Sequence, residues 1–158
     1  ITSKLTTTYS RYTKANDNET LEQSNVLILD TIGQLSNAYS YGSIAYVGGG
    51  FSGSLHNILE PAVFGLPVIF GPKHKRFPEG QAFINHGFGF SINSSQEISE
   101  ALDTIEANYT SIQKKELQFI KENAGASLKI YELTWLSGLM SILSSSNTSW
   151  SHTEIIIS

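Results

Sequence analysis

The residues with the most chemistry in this chain lie in one unbroken run. Ile44-Ala45-Tyr46-Val47 has β character and enters Gly48-Gly49-Gly50-Phe51-Ser52-Gly53-Ser54-Leu55, which feeds His56-Asn57-Ile58-Leu59-Glu60-Pro61-Ala62. Glycine lets a backbone pass close to a ligand and adopt φ > 0 at little steric cost. A helix starting behind such a loop offers unpaired N–H groups and the positive end of a dipole, which suits an anion. The chemistry on offer is recognition of a phosphate-linked molecule.

Each residue in the run has two readings. A carboxylate at Glu60, one turn into a helix at a sheet edge, can accept hydrogen bonds from vicinal ribose hydroxyls. Equally, Glu60 is the third residue of a capping box whose N-cap is Asn57. His56 can donate to a phosphate or a sugar carboxylate, or simply fill the loop. It has no metal-ligand spacing with His74 or His86. Gly48-Gly49-Gly50 is not a G-x-G-x-x-G fingerprint, and no Gly-Lys-Ser/Thr follows as in a P-loop. Gly49 and Gly50 therefore admit either a close phosphate or a tight turn between strand and helix.

Lys73-His74-Lys75-Arg76 is a basic cluster in an otherwise acidic chain. Lys73, Lys75 and Arg76 either attract a phosphate or carboxylate or form a solvated loop. No Ser-His-Asp arrangement and no carboxylate pair suggests itself for catalysis. The pattern is half of a nucleotide site, without the group that performs the reaction.

The elements that must position these residues follow from composition and periodicity. The chain has 158 residues, 40% hydrophobic and 15% charged, a composition typical of a globular domain with a sizeable core. A formal charge of −4 argues against a general nucleic-acid binder. Without cysteine there is no disulfide framework, thiolate metal site or cysteine nucleophile. No apolar run approaches the roughly 20 residues of a membrane span. The start on Ile1, with no signal-peptide pattern, suggests a fragment. The four Asn-x-Ser/Thr sequons carry little information in that setting.

Leu5, Tyr9 and Tyr12 stand at helical spacing and predict a helix within residues 1–14; the polar run 16–20 is a loop. Val26-Leu27-Ile28-Leu29 reads as a strand buried on both faces. Thr31 and Gln34 have capping-box spacing for a helix over 32–41, ended by Gly42. Strands at 44–47 and 67–70 flank a short helix over 58–64, closed by Gly65. A helix over 79–86 and a strand over 88–92 follow. Ser94 and Glu97 form a second capping box, with Ile98, Leu102 and Ile105 as an apolar stripe. A separate helix carries Ile112, Leu117 and Ile120, and another carries Leu128, Tyr131, Trp135 and Leu139. Strands alternate with helices through residue 107, which implies a parallel sheet with right-handed crossovers. Ligands of such sheets sit at the carboxyl ends of strands, so loops 30–34, 48–57 and 71–77 form the candidate site. Residues 143–158 read as a Ser-rich tail.

The central run, together with Phe64-Gly65-Leu66-Pro67-Val68-Ile69-Phe70-Gly71-Pro72, resembles the 3-deoxy-D-manno-octulosonic acid (Kdo) transferases. Leu29-Asp30-Thr31-Ile32-Gly33-Gln34-Leu35 is similar to that family's Asp-Thr-Met-Gly-Glu-Leu segment, and with Phe88-Gly89-Phe90 the match covers about residues 1–137. The resemblance implies an α/β, Rossmann-like three-layer domain over residues 1–142, the C-terminal half of a GT-B glycosyltransferase. It implies a donor, CMP-Kdo, transferred to a lipid A precursor at the cytoplasmic face of a bacterial inner membrane, with no metal or other cofactor. It places Ile32, Gly33 and Gln34, then Asn57, Ile58, Leu59 and Glu60, at the CMP, with Glu60 on the ribose. The acceptor groove, the catalytic Glu and the membrane anchor belong to an N-terminal domain outside this chain. Two departures stand out. Ser54-Leu55 occupies the place of a common Gly-Gly, and Gln34 the place of a Glu. Residues 138–158 do not resemble the family. Other nucleotide-sugar transferases using UDP or GDP donors, and a non-catalytic nucleotide-binding module, are the competing readings.

Overall fold

The computed structural model describes residues 6–14 and 23–123. The helix expected over 128–139, the loop over 16–20 and the Ser-rich tail fall outside the described residues.

Five short strands form two parallel ladders. In the first, β1 (Tyr9–Arg11) pairs with β2 (Val26–Ile28), Ser10 standing opposite Leu27. In the second, β3 (Ala45–Val47), β4 (Val68–Phe70) and β5 (Gly89–Ser91) run in that order. Val47 lies opposite Phe70, and Phe70 opposite Ser91. The helices between and after them are α1 (Leu35–Tyr39), α2 (Leu59–Val63), α3 (Pro78–His86) and α4 (Ser95–Asn123). Strand and helix alternate as the sequence predicts. Among the described residues no helix is long and apolar enough to cross a membrane.

The core forms around β4, whose three residues are all buried. Phe83 of α3 and Phe88, just before β5, stack with ring centroids 4.7 Å apart, and Phe119 of α4 joins Phe88 at 5.3 Å. Burying aromatic surface of this size is the largest favourable contribution a small α/β unit has. His86 belongs to this cluster. Its ring lies 4.5 Å from that of Phe119, and its Nδ1 is 2.8 Å from the carbonyl of Ala82.

The structure corrects the sequence reading in four places. Tyr9 and Tyr12 are 41% and 47% exposed, so their helical spacing is no buried stripe. Thr6-Thr7-Thr8-Tyr9 instead favours extended backbone, and Ser10 turns inward between exposed neighbours. Strand β2 is half-buried along its length rather than buried on both faces. The expected helix over 32–41 begins only at Leu35, because Gly33 holds φ +87, and Gln34 flanks it without a side-chain cap. Finally, α4 is one helix of 29 residues rather than two. No Gly or Pro interrupts Asn108-Tyr109-Thr110-Ser111, and Asn108 folds its amide back onto the carbonyl of Thr104. Half of the expected capping box at its start forms: the N–H of Glu97 donates to Ser94 Oγ, but the carboxylate of Glu97 accepts from the N–H of Asn93 rather than of Ser94.

The buried stripe of α4 is Ala101, Ile105, Ile112, Glu116 and Ile120, with Leu102 and Leu117 outside it. Glu116 is fully buried, and among the described residues neither carboxyl oxygen has a hydrogen-bond partner. Burial pushes its carboxyl up to about 9, because a charge in apolar surroundings loses its hydration. The folded chain therefore carries a neutral Glu116 at pH 7, whereas the unfolded chain ionises it near its ordinary value. Between those two values the unfolded state gives up the proton and the folded state keeps it, so stability falls as pH rises. Glu116→Leu should raise the urea midpoint at pH 7 and remove a slope of up to about 1.4 kcal/mol per pH unit between about pH 5 and 9. An unchanged slope in the variant would show that Glu116 is not the group titrating.

Candidate functional site

The carboxyl ends of β3 and β4 release two loops that are locked to each other. Val47 and Phe70 are paired, so the residues beyond them leave the sheet side by side. A methyl group on Gly50 would lie 2.5 Å from the backbone N of Gly71, and one on Gly71 would meet the backbone carbon of Gly50 at the same distance. The N–H of Lys73 then donates to the carbonyl of Gly50 at 2.8 Å. Only glycine at both positions allows this approach.

The glycine loop also closes on itself. The carbonyl of Gly49 accepts from the N–H groups of Ser52, Gly53 and Ser54 and from the hydroxyl of Ser52. Gly49 takes φ +82, and a side chain there would collide with the carbonyl of Ser54. Both readings left open by the sequence are thus compatible with the structure, but turn geometry alone accounts for the glycines. Among the described residues the N–H groups of Gly49, Gly50 and Phe51 meet no acceptor.

His56 folds back over this loop. Its N–H donates to the carbonyl of Gly48, and its ring would contact a methyl on Gly48 at 3.7 Å or on Gly49 at 3.1 Å. Asn57 follows and organises the start of α2. Its Oδ1 accepts from the N–H of Leu59 at 3.0 Å, and its Nδ2 donates to Glu60 Oε1 at 3.0 Å. Glu60 does not reach back to the backbone N–H of Asn57 as a capping box requires. One oxygen is held by an amide, and the other has no partner among the described residues. Helix α2 has five residues, shorter than the expected 58–64, so its dipole adds little.

Other expected site residues fall in three settings. Ile58 is 1% exposed and packs into the core, so only its backbone can face a ligand. Leu59 is 44% exposed beside Glu60. Ile32 and Gly33 stand fully in solvent with nothing against them, and Gln34 accepts weakly from the amide of Asn37 at 3.4 Å. Their segment is anchored from behind. Thr13 donates twice to Asp30, through its N–H at 3.0 Å and its hydroxyl at 2.6 Å, and Arg11 Nε lies 2.9 Å from the same carboxylate. The Thr13 hydroxyl, then its N–H, with Arg11 behind them, hold the Asp30 carboxyl below its ordinary value.

Helix α1 links that segment to Glu60. Buried Tyr39 tilts its ring against Phe64 at 6.1 Å, and α1 packs on α2. Burial, with a smaller contribution from the Glu60 charge, pushes the Tyr39 hydroxyl up to about 12. Lys73, Lys75 and Arg76 are exposed on the β4–α3 loop. His74 is tucked against Phe70, edge to face at 5.4 Å, and lies 3.4 Å from Ser91 Oγ. Sequence reasoning placed Phe51 and Gly71 in the candidate loops but gave neither a role of its own. The signal was present as an aromatic residue inside a glycine loop and as the Gly-Pro that ends the next strand.

The region so built matches known proteins. The chain is 36% identical over 78 residues to a 3-deoxy-D-manno-octulosonic acid transferase of Aquifex aeolicus, covering 48% of this chain and 22% of that protein. It is 32% identical over 124 residues to the transferase of the same name from Chlamydophila psittaci, covering 75% of this chain and 28% of that one. By sequence, this chain is related to the Kdo transferases. A bifunctional glycosyltransferase/methyltransferase of Fusobacterium nucleatum is 30% identical over 125 residues, 78% of this chain and 19% of that protein. The chain thus spans between a fifth and a third of the length of these curated relatives. No protein-family model matches it. In fold, it superposes on the crystal structure of the C-terminal CMP-Kdo binding domain of WaaA from Acinetobacter baumannii. The TM-score is 0.60 at 23% identity, covering 73% of this chain and 60% of that one. The α/β class with parallel strands expected from the sequence is therefore the fold this chain shares with that C-terminal domain.

The loop lock predicts its own mutational signature. Gly50→Ala should lower stability by about 1–3 kcal/mol through overpacking against Gly71, whereas Gly48→Ala, facing only the His56 ring, should change it little. Thermal melts of the two variants compare them directly, and equal melting points would refute the lock.

Proposed function

We propose that this chain is the donor-binding part of a Kdo transferase and that it holds CMP-Kdo at the carboxyl ends of β3 and β4. The observation that carries the reading is the half-satisfied carboxylate of Glu60. Asn57 fixes one oxygen in place, which leaves the other as a pre-positioned acceptor for a ribose hydroxyl. Ile32, Gly33, Gln34 and Leu59 then lie toward the base, with the backbone of Ile58. His56 and the N–H groups of Gly49 and Gly50 lie toward the phosphate. Lys75 and Arg76, exposed on the loop after β4, add positive charge at the same rim. Support comes from the sequence relatives, from the fold, and from the Gly50–Gly71 contact that joins the loops after β3 and β4; the loop over 30–34 leaves the separate β1–β2 ladder.

In the whole enzyme an acceptor hydroxyl on a lipid A precursor would attack the anomeric carbon of Kdo. A carboxylate base outside this chain would take the proton as CMP departs. The role of the present residues is to bind the nucleotide and to neutralise charge that develops on the leaving phosphate. The reading invokes no metal or other cofactor. It places the reaction in lipopolysaccharide synthesis at the cytoplasmic face of the inner membrane, with the membrane contact made elsewhere in the protein.

Calorimetric titration with CMP tests the reading. Glu60→Gln keeps an oxygen for the Asn57 amide but replaces the free carboxylate oxygen, and a hydrogen bond to a charged group is worth about 1.5–3 kcal/mol. Binding should weaken roughly tenfold or more in Glu60→Gln and in Glu60→Ala. Equal CMP affinity in wild type and both variants would rule out the ribose role, and tighter binding of UMP or GMP than of CMP would favour a different donor. Turnover by this chain alone would contradict the division of labour.

A further inference from the structure

We propose that Phe51 and Lys73 together form the subsite for the transferred acidic sugar, distinct from the groups that hold the nucleotide. This inference rests on the nucleotide reading above and specifies where the sugar half of the donor lies. Phe51 is a large aromatic side chain left 46% exposed at the tip of the glycine loop. It is nonetheless fixed in place: its Cδ2 would lie 2.7 Å from a methyl on Gly71, so the ring edge rests on that backbone. Lys73 is held beside it. The N–H of Lys73 donates to Gly50, and its Cδ would stand 3.9 Å from a methyl on Gly53. Lys73 is exposed and, among the described residues, meets no carboxylate within ion-pair distance.

The local contacts separate two sets of groups at this rim. Glu60 and Asn57 stand at the start of α2, and His56 lies over Gly48 and Gly49. Phe51 rests on Gly71, and the N–H of Lys73 is bonded to Gly50, the residue before Phe51. A nucleotide anchored by its ribose at Glu60, with its phosphate at His56 and the loop amides, has its sugar left for Phe51 and Lys73. The chemistry fits an acidic sugar. A flat ring offers an apolar platform to the C–H face of a pyranose. An ammonium on a flexible stem meets a carboxylate attached to that ring. A neutral hexose would use the platform and leave the cation idle.

Titration of the full chain with CMP and with freshly prepared CMP-Kdo separates this subsite from the nucleotide site. Phe51→Ala and Lys73→Ala should each leave CMP affinity within about twofold of wild type, while CMP-Kdo affinity falls roughly five- to tenfold. Lys73→Arg, which keeps the charge, should restore most of the loss. Equal losses for CMP and CMP-Kdo would move both residues to the nucleotide and overturn the subsite, as would CMP-Kdo affinity that neither variant changes. If the wild-type chain bound no CMP, the nucleotide reading would fail and the subsite with it. Normal CMP binding by wild type keeps the two failures apart.

Discussion

Everything at the rim depends on one close approach of two backbones. Gly50 and Gly71 meet at a separation that no Cβ can occupy. The parallel register of β3 and β4 delivers them to that point, since Val47 and Phe70 are partners. Fusing the loops in this way converts two flexible connections into one surface. The glycine loop cannot swing away while the N–H of Lys73 is bonded to Gly50, and Phe51 has a fixed seat on Gly71. A site made of loops gains precision when the loops constrain one another.

A second constraint sits at the start of α2. Asn57 uses both ends of its amide, one to accept from Leu59 and one to donate to Glu60. The carboxylate is thereby oriented before any ligand arrives, and one oxygen stays available. Asn57 therefore both bonds the first turn of the helix and aims the carboxylate. Tyr39 extends the arrangement to α1, where burial and the Glu60 charge both disfavour loss of its proton. The loop carrying Ile32 and Gly33 runs directly into that helix and is steadied behind by the Thr13–Asp30 bonds.

Much of this was legible in the sequence. Short apolar runs bounded by Gly and Pro gave the strands β3 and β4 to within a residue, because fully buried parallel strands read as continuous apolar segments. The Asn57-to-Glu60 spacing gave the start of a helix and a candidate ribose acceptor, although the capping box it predicts does not form and the N-cap is Ile58 rather than Asn57. What escaped notice depended on tertiary contacts. Tyr9 and Tyr12 mimic a helical stripe only because exposed tyrosines can have any spacing. Glu116 at a core position of α4 looks like an ordinary surface glutamate until the helix is wound and its burial appears. Phe51 passed as part of a motif because its exposure cannot be read from residue type. The reciprocal need for Gly71 appears only once β3 and β4 are placed in register.

The central claim is that the free oxygen of Glu60 recognises a ribose hydroxyl. The most direct test is a thermodynamic cycle pairing CMP and 2′-deoxy-CMP with the wild-type chain and Glu60→Ala, each affinity measured by calorimetry. The account requires wild type to favour CMP and the variant to lose that preference, so that removing the hydroxyl no longer matters once the carboxylate is gone. The same preference for CMP in both proteins would show that another group reads the ribose, and would contradict the account.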